Sequence, residues 1–394
     1  MNYQTILLHL GMVGAVFAVG GCRQPPLNPT PTTTESQSLT DIVQLTHGFD
    51  RAGEAYFSPD MAWIIFQAAP RGEARYQMYV APVLYEMSGD RPLRTGTVVR
   101  ATPLPGPITV PQIGRIVGIG PTIRISPENS RNTCGFFSPG GNSLIFGSTV
   151  GKEDPNEPPG GYQREGGTYR WSFSEGMEIY RADGWEGALA AADPGQIVDL
   201  ARHRLTDNRV YDAECSYSPD GKWICFASMR TGDVELFAMR PDGSDVVQLT
   251  SSPGYDGGPF FSPDGKRLVY RSDRKGNGLL QIYVADVVFG PDGAITALRR
   301  ERQLTEDANV NWGPFWHPGG KHIVYATSRH GHANYEVYLM RDDGSRKTRI
   351  TFSSGADVLP VFSPDGNYLL WASKRAPDNT TQVFAARFKF PQGS

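Results

Sequence analysis

The chain has no excess of cationic side chains: 38 Lys and Arg stand against 41 Asp and Glu, a net charge of −3. A general nucleic-acid binder needs spare cations to neutralise phosphates, so that class is excluded. Only four cysteines occur among 394 residues, and none forms the CxxC pair of a thiolate metal site. There is no G-x-S-x-G nucleophile elbow, no phosphate-binding glycine loop and no dinucleotide fingerprint. Long amphipathic helix patterns are also missing; "DGWEGALAAADPG" reads as one or two helical turns at most. Glycine (45) and proline (31) are plentiful, which points to a chain of many turns. Length alone suggests two to three domains, although β architectures often run longer as one unit, and a large core is within reach.

The first residues form a separate object. "ILLHLGMVGAVFAVGGC" is an apolar run of signal-peptide length, and Val19-Gly20-Gly21-Cys22 resembles the bacterial lipobox. Met1 to Thr5 carry no Lys or Arg, so an ordinary signal peptide and an uncleaved anchor stand as alternatives. The expectation is a signal peptide over residues 1–22 with Cys22 lipidated. Arg23, in place of Asp, then directs the lipoprotein to the outer membrane rather than the inner one. Residues 23–39 are rich in Pro, Thr and Ser and read as a disordered tether. Residues 40–390 remain for one folded domain.

A repeat decides the fold class. "SPDG" occurs at Ser218, Ser262 and Ser363, with variants at Ser58 ("SPDM"), Ser138 ("SPGG") and His317 ("HPGG"). Thirteen residues before each lies an aliphatic residue followed by Thr or Ser, as in Leu249-Thr250 before Ser262. A third element follows each turn, from Gln77-Met78-Tyr79 to Gln382-Val383-Phe384. In the turn Pro presets φ, Asp accepts backbone N–H groups and Gly takes the left-handed conformation. Each unit reads as four short strands, and units of roughly 40–50 residues with four strands are the mark of β-propeller blades. The expected fold is all-β: a six-bladed β-propeller whose ring is closed by an N-terminal strand, "DIVQLT" supplying the fourth strand of the last blade.

The pattern F-S-P-D-G-K, I/V-F/Y, I-Y, Q-L-T resembles the TolB-like propeller repeat over about residues 40–390. The resemblance implies the propeller fold and leaves function open, because such propellers serve as interaction platforms, peptidase domains and sugar-lyase scaffolds. It also implies a periplasmic setting. The family's additional α/β domain has no counterpart between the expected tether and blade 1, which separates this chain from TolB proper.

Two rings of polar residues fall on one face, where strand four leads to strand one and strand two to strand three. Asn132, Asp212, Asp256, Asn311 and Asp357 (Ala52 in blade 1) stand six residues before each turn; Arg230, Arg274, Arg329 and Arg375 stand twelve after, with Arg71 one place out of register. They form either a polar funnel that grips a ligand, or Asx turns and ion pairs that staple blades together. Over the same face the blade-2 insertion presents Tyr162, Tyr169, Trp171 and Phe173, suited to protein or carbohydrate contact or to packing back on the blade. The blade-1 insertion, about Leu84 to Thr122, falls on the opposite face. Blade 5 holds His317, His322, His330 and His332; the "HGH" of His330 and His332 is the candidate for a metal, since some oligogalacturonate lyases are propellers with a His-ligated divalent ion. No Asp, Glu or Gln at ligand spacing joins that pair, so no cofactor or metal is expected. Cys215 and Cys225 flank a turn, leaving either a cross-strand disulfide or, the favoured reading, apolar packing of Cys225; Cys134 has no assigned role. The sequence thus points to a monomeric, non-enzymatic platform for an envelope protein or glycan, with a carbohydrate-active enzyme as the alternative.

Overall fold

The computed structural model describes residues 34–86, 114–151, 161–165, 168–192 and 196–393, with the backbone alone at 161–165 and 168–171. Cys22, the signal segment and residues 87–113 of the blade-1 insertion lie outside the described residues, as do the side chains of Tyr169 and Trp171.

Among the described residues six antiparallel sheets form blades, the first five built in chain order from the channel outward, beside one two-stranded hairpin. The innermost strands are Phe49–Phe57, Asn132–Phe137, Asp212–Tyr217, Asp256–Phe261, Asn311–Trp316 and Asp357–Phe362. In blade 6 the outer place is taken by Leu39–Gln44, which pairs with Gln382–Phe388 from Leu39 opposite Phe388 to Gln44 opposite Phe384. The ring is therefore closed by hydrogen bonds between the two ends of the propeller, and the edge of blade 6 is covered. Order also starts earlier than residue 40. Glu35–Gln37 form a 3₁₀ turn, and the Glu35 side chain is buried, so the last residues of the expected tether are part of the fold.

The turn residues act as their chemistry dictates. Ser262 Oγ donates to Asp264 at 2.5 Å, Asp264 accepts from Lys266 N at 3.1 Å, and Arg267 N returns to Ser262 Oγ at 3.0 Å. Gly265 closes the turn with φ 70°. Blades 3 and 6 repeat this network with Ser218 and Asp220, and with Ser363 and Asp365.

Apolar residues of the second and third strands fill the spaces between blades. Trp185, Trp223, Trp371 and Tyr270 are among the largest fully buried side chains, and burying one such ring stabilises by about 1.5–3 kcal/mol. The helical turns expected in "DGWEGALAAADPG" are the helix Trp185–Ala190. Trp185 packs edge-on against Trp63 at 5.3 Å and donates its indole N–H to Gly141 O at 2.8 Å, pinning blade 2 to blade 1. Among the described residues blade 4 has the longest outer strand, Ile295–Gln303. Cys215 and Cys225 are free and buried, and Cys225 is fully enclosed in its strand.

Candidate functional site: the central channel and its rim

Each innermost strand starts on the rim and runs inward, and the residue two places after the rim position (Ala52, Asn132, Asp212, Asp256, Asn311, Asp357) is left-handed in every blade: Glu54, Cys134, Glu214, Gly258, Gly313 and Leu359 have φ between 49° and 59°. The strands are bulged at this point, with registers slipping between Gly53 and Tyr56 in blade 1 and between Gly257 and Phe260 in blade 4. A bulge re-aims the extra residue, and here that residue lines the channel cavity. Two residues further along, Tyr56, Phe136, Phe260 and Phe315 interlock, with Tyr56 5.0 Å from Phe136 and Phe260 5.0 Å from Phe315. These rings fill the channel on the side of the turns, leaving a cup that faces the rim.

The rim residues expected from sequence are brought together, but within each blade. Arg230 reaches Asp212 at 2.9 Å, Arg274 reaches Asp256 at 2.9 Å and Arg375 reaches Asp357 at 2.8 Å. The same arginines anchor their Nε on the last residue of the second strand, Ser228, Ser272 and Ser373. They also lie over aromatic rings of their own blades, Arg230 on Phe237 and Arg274 on Tyr283. The carboxylates are almost wholly buried. Neither an Asx turn nor a staple between blades is formed by these pairs. Arg329 departs from the pattern: its partner is Asp307 at 2.9 Å, which also accepts from Asn311. Asn132, with no arginine in its blade's place, donates to Gln77 at 3.0 Å. Arg71 is the exception to pairing within a blade: it makes an exposed pair with Asp378 of blade 6. Nothing in the repeat distinguishes these pairs from structural clamps; their charge is matched before any ligand arrives.

Further links between blades come from residues the sequence reading used only as markers. Gln77, Glu178, Glu235, Gln281, Glu336 and Gln382 open the third strands, and all are buried. Each holds the connection that enters the next blade: Gln281 donates to Asp307 O and Asn309 O, while Glu178 accepts from Asn208 N and Arg209 N. Three are acids, and these precede Asp212, Asp256 and Asp357; Gln77 and Gln281 precede Asn132 and Asn311 and bond to them directly at 3.0 Å. Burial pushes the Glu235 and Glu336 carboxyls up to about 7; their threonine hydrogen bonds oppose the shift, and Asp256 and Asp357 respectively add to it. Asp256 rises to about 6, again through burial, against the pull of Arg274.

His330 and His332 do not converge. His330 pairs with the Tyr338 hydroxyl at 2.7 Å, and His332 packs edge-on against Tyr335 at 5.6 Å. His317 and His322 lie near the turns, beneath Phe390. Among the described residues no three His, Cys, Asp or Glu side chains gather as a metal site. The blade-2 insertion folds back on itself as a hairpin, Gly161–Glu165 against Thr168–Ser172, with Tyr169 opposite Arg164 and Trp171 opposite Tyr162.

Inside the cup lies a constellation that sequence reasoning missed. Glu214 accepts from Tyr255 Oη at 2.6 Å, from Arg271 Nη2 at 3.0 Å and from Tyr211 Oη at 3.2 Å. Glu54 and Cys134 line the same wall. Burial raises the Glu54 carboxyl, opposed by a hydrogen bond with the Cys134 thiol and by the Arg271 charge. The only outward signal was the pair Gly257-Gly258 ahead of a strand carrying a mid-strand arginine.

Six closed blades around a plugged channel define a β-propeller. Residues 201–297 match the TolB beta propeller domain family. The chain is 33% identical over 155 residues to the TolB homolog of Chlorobium luteolum, covering 39% of this chain and 32% of that one. With the TolB homolog of Chlorobium chlorochromatii it shares 35% over 202 residues, 48% of this chain and 42% of the relative. The chain thus spans well under half the length of these curated relatives. A solved TolB-type structure from Agrobacterium tumefaciens superposes with a TM-score of 0.48 at 17% identity, covering 86% of this chain and 90% of that one.

Proposed function

We propose that the protein is a periplasmic binding platform, held at the outer membrane through a lipid on Cys22, which docks an envelope protein or glycan on the face that carries the channel mouth. One observation supports the choice of face: the sixfold pattern of the blades breaks inside the cup. There the six equivalent left-handed positions carry Glu, Cys, Glu, Gly, Gly and Leu. A structural repeat has no need of such variety, and recognition lives in the differences between repeats. Around the cup, the clamped Asp–Arg pairs give a rigid rim.

Cross-linking capture from envelope extracts tests the face. Arg71 and Arg329 are half-exposed on the rim, whereas Lys222 is exposed beside a turn on the far side. R71E/R329E is expected to reduce capture several-fold and K222E to leave it unchanged; equal loss with both, or loss with K222E alone, rejects the assignment. Anchoring is tested separately. C22S is expected to release the protein from the membrane fraction, and unchanged membrane association excludes the lipid on Cys22.

A further inference from the structure

Blade 5 departs from the charge plan of blades 3, 4 and 6. Those blades set one rim arginine against a buried Asp at the head of the innermost strand. Two places before their outer threonine stands a neutral residue, Gln248, Gln303 or Gln44, whose amide donates to the threonine carbonyl. In blade 5 the innermost strand opens on neutral Asn311, and Arg349 takes the glutamine's place. Its Nε–H does the glutamine's work, donating to Thr351 O at 2.7 Å as Gln248 donates to Thr250 O at 2.8 Å. The rest of the guanidinium is a charge that the other three blades lack at this position. Nη2 lies 2.6 Å from Glu336, a carboxyl that burial holds at about 7, so near neutral pH only about half of it is ionised. Arg329 has Asp307 at 2.9 Å, while Lys347 and Asp343 add one charge of each sign nearby. Two arginines thus face Asp307 and a half-ionised carboxyl, which leaves this corner of the rim with an excess of positive charge.

The two arginines flank the first histidine of the "HGH" stretch. Arg329 and His330 sit on the 3₁₀ turn Ser328–His330 that ends the second strand, and Arg349 Nη1 lies 3.3 Å from His330 Nδ1. A guanidinium can only donate, so Nδ1 accepts, the ring proton sits on Nε2, and Tyr338 Oη receives it at 2.7 Å. Burial and the charges of Arg349 and Arg329 hold this imidazole below its ordinary value, and no acid offsets them. The corner is also open. Arg329 is 45% exposed, against 23%, 19% and 4% for Arg230, Arg274 and Arg375. We propose that this corner binds a phosphate group, held between Arg329 and Arg349 beside His330. Each arginine has already committed part of its fork, Arg349 through Nε and Nη2 and Arg329 through Nη2. Single donors arriving from two elements suit oxygens that point in three directions better than the two coplanar oxygens of a carboxylate, which call for an intact fork. The inference goes beyond the docking proposal and does not depend on a partner protein.

The test follows the His330 ring resonances of the whole chain by ¹H–¹⁵N NMR, assigned by their loss in H330Q. Sodium phosphate, glycerol 3-phosphate and sodium acetate are titrated at constant pH and ionic strength. Saturable movement with phosphate is expected; movement with phosphate alone assigns the free ion, and movement with the glycerol ester as well assigns an esterified phosphate such as a headgroup or a decorated glycan carries. Acetate saturating at the same or a lower concentration, or no saturable movement at all, overturns the proposal. R349Q installs the residue of blades 3, 4 and 6 and keeps a donor for Thr351 O. It is expected to weaken phosphate about tenfold, through loss of one charge-assisted hydrogen bond; affinity equal to wild type rejects the site. Blade 3 already carries glutamine with an acid at the equivalent places, Gln248 with Glu235, so the substitution has a folded precedent within the chain. Should R349Q nevertheless fail to fold, R349K keeps the charge and loses the fork, and is expected to weaken phosphate several-fold, an unchanged affinity counting against Arg349. If phosphate does not bind while R71E/R329E still reduces capture, this inference fails and the docking face stands. If phosphate binds while capture ignores the rim, the corner keeps its ligand and the docking face falls.

Discussion

Replacing Arg375 by methionine is expected to cost about 3–5 kcal/mol of stability, the range for removing one partner of a buried ion pair. Arg375 differs from the other rim arginines in serving two acids. Nη2 lies 2.8 Å from Asp357 and 3.0 Å from Glu35, and the three side chains are at most 4% exposed. Water cannot replace the lost charge at either carboxylate, so both would have to take up protons or move. Methionine fills much of the space between Trp371 and Phe384, over which the guanidinium now lies, so lost packing contributes little. The measurement is the urea midpoint of R375M against wild type at unchanged slope. Adding D357N and E35Q should recover most of the loss, because the orphaned charges are then gone. A loss below about 1 kcal/mol would place the triad with ordinary surface pairs and refute the account.

The second large effect is a fall in stability between acidic and neutral pH. Glu235 and Glu336 have folded-state values of about 7 and Asp256 about 6, all above the usual carboxylate range. A carboxyl whose folded value is raised holds its proton more tightly in the native chain than in the unfolded one. Its contribution is complete below the unfolded value and is lost as pH climbs through the folded one. The loss therefore runs from about pH 4 to about pH 7 and levels off above that. Discounted for screening by solvent, each group contributes on the order of 1 kcal/mol, and together they lower Tm by about 3–6 °C. E235Q/E336Q should flatten the profile by supplying amides, as Gln77 and Gln281 do at the sister junctions. A Tm that is constant or rises across this window excludes the mechanism.

Much of the architecture was legible because it repeats. The thirteen-residue step from Leu249 to Ser262, found in all six units, carries blade number and strand order without any structural help. Ring closure followed from a fourth strand missing at one end and a spare one at the other. The rim showed itself as two rings but not as pairs, although Asp212, Asp256 and Asp357 each precede their arginine by 18 residues. That spacing spans one hairpin and would have told a clamp within a blade from a staple between blades. The matched choice of Glu with Asp, or Gln with Asn, at successive junctions was equally visible, for instance in Glu235 and Asp256 against Gln281 and Asn311. The cup was not. Its left-handed positions are glycine in only two blades, so φ could not be read from residue type at Glu54, Cys134, Glu214 or Leu359. Arg271 occupies a mid-strand position like any other, and nothing local says that it crosses to the channel. Partners separated by 57 residues, as Arg271 and Glu214 are, meet only once the ring has closed.

The closing strand also fixes how the molecule bears a mechanical load. A pull on the chain preceding Glu35 reaches the Glu35–Arg375 clamp first and then Leu39–Gln44, the strand whose pairing with Gln382–Phe388 shuts the ring. The direction of pull decides the resistance. Along the strand the ladder bonds are loaded together, in shear; across it they are loaded one after another, and the strand peels. Tension applied at this end thus acts on the seam of the propeller before it acts on any intact blade, and the buried clamp is the latch that must fail first.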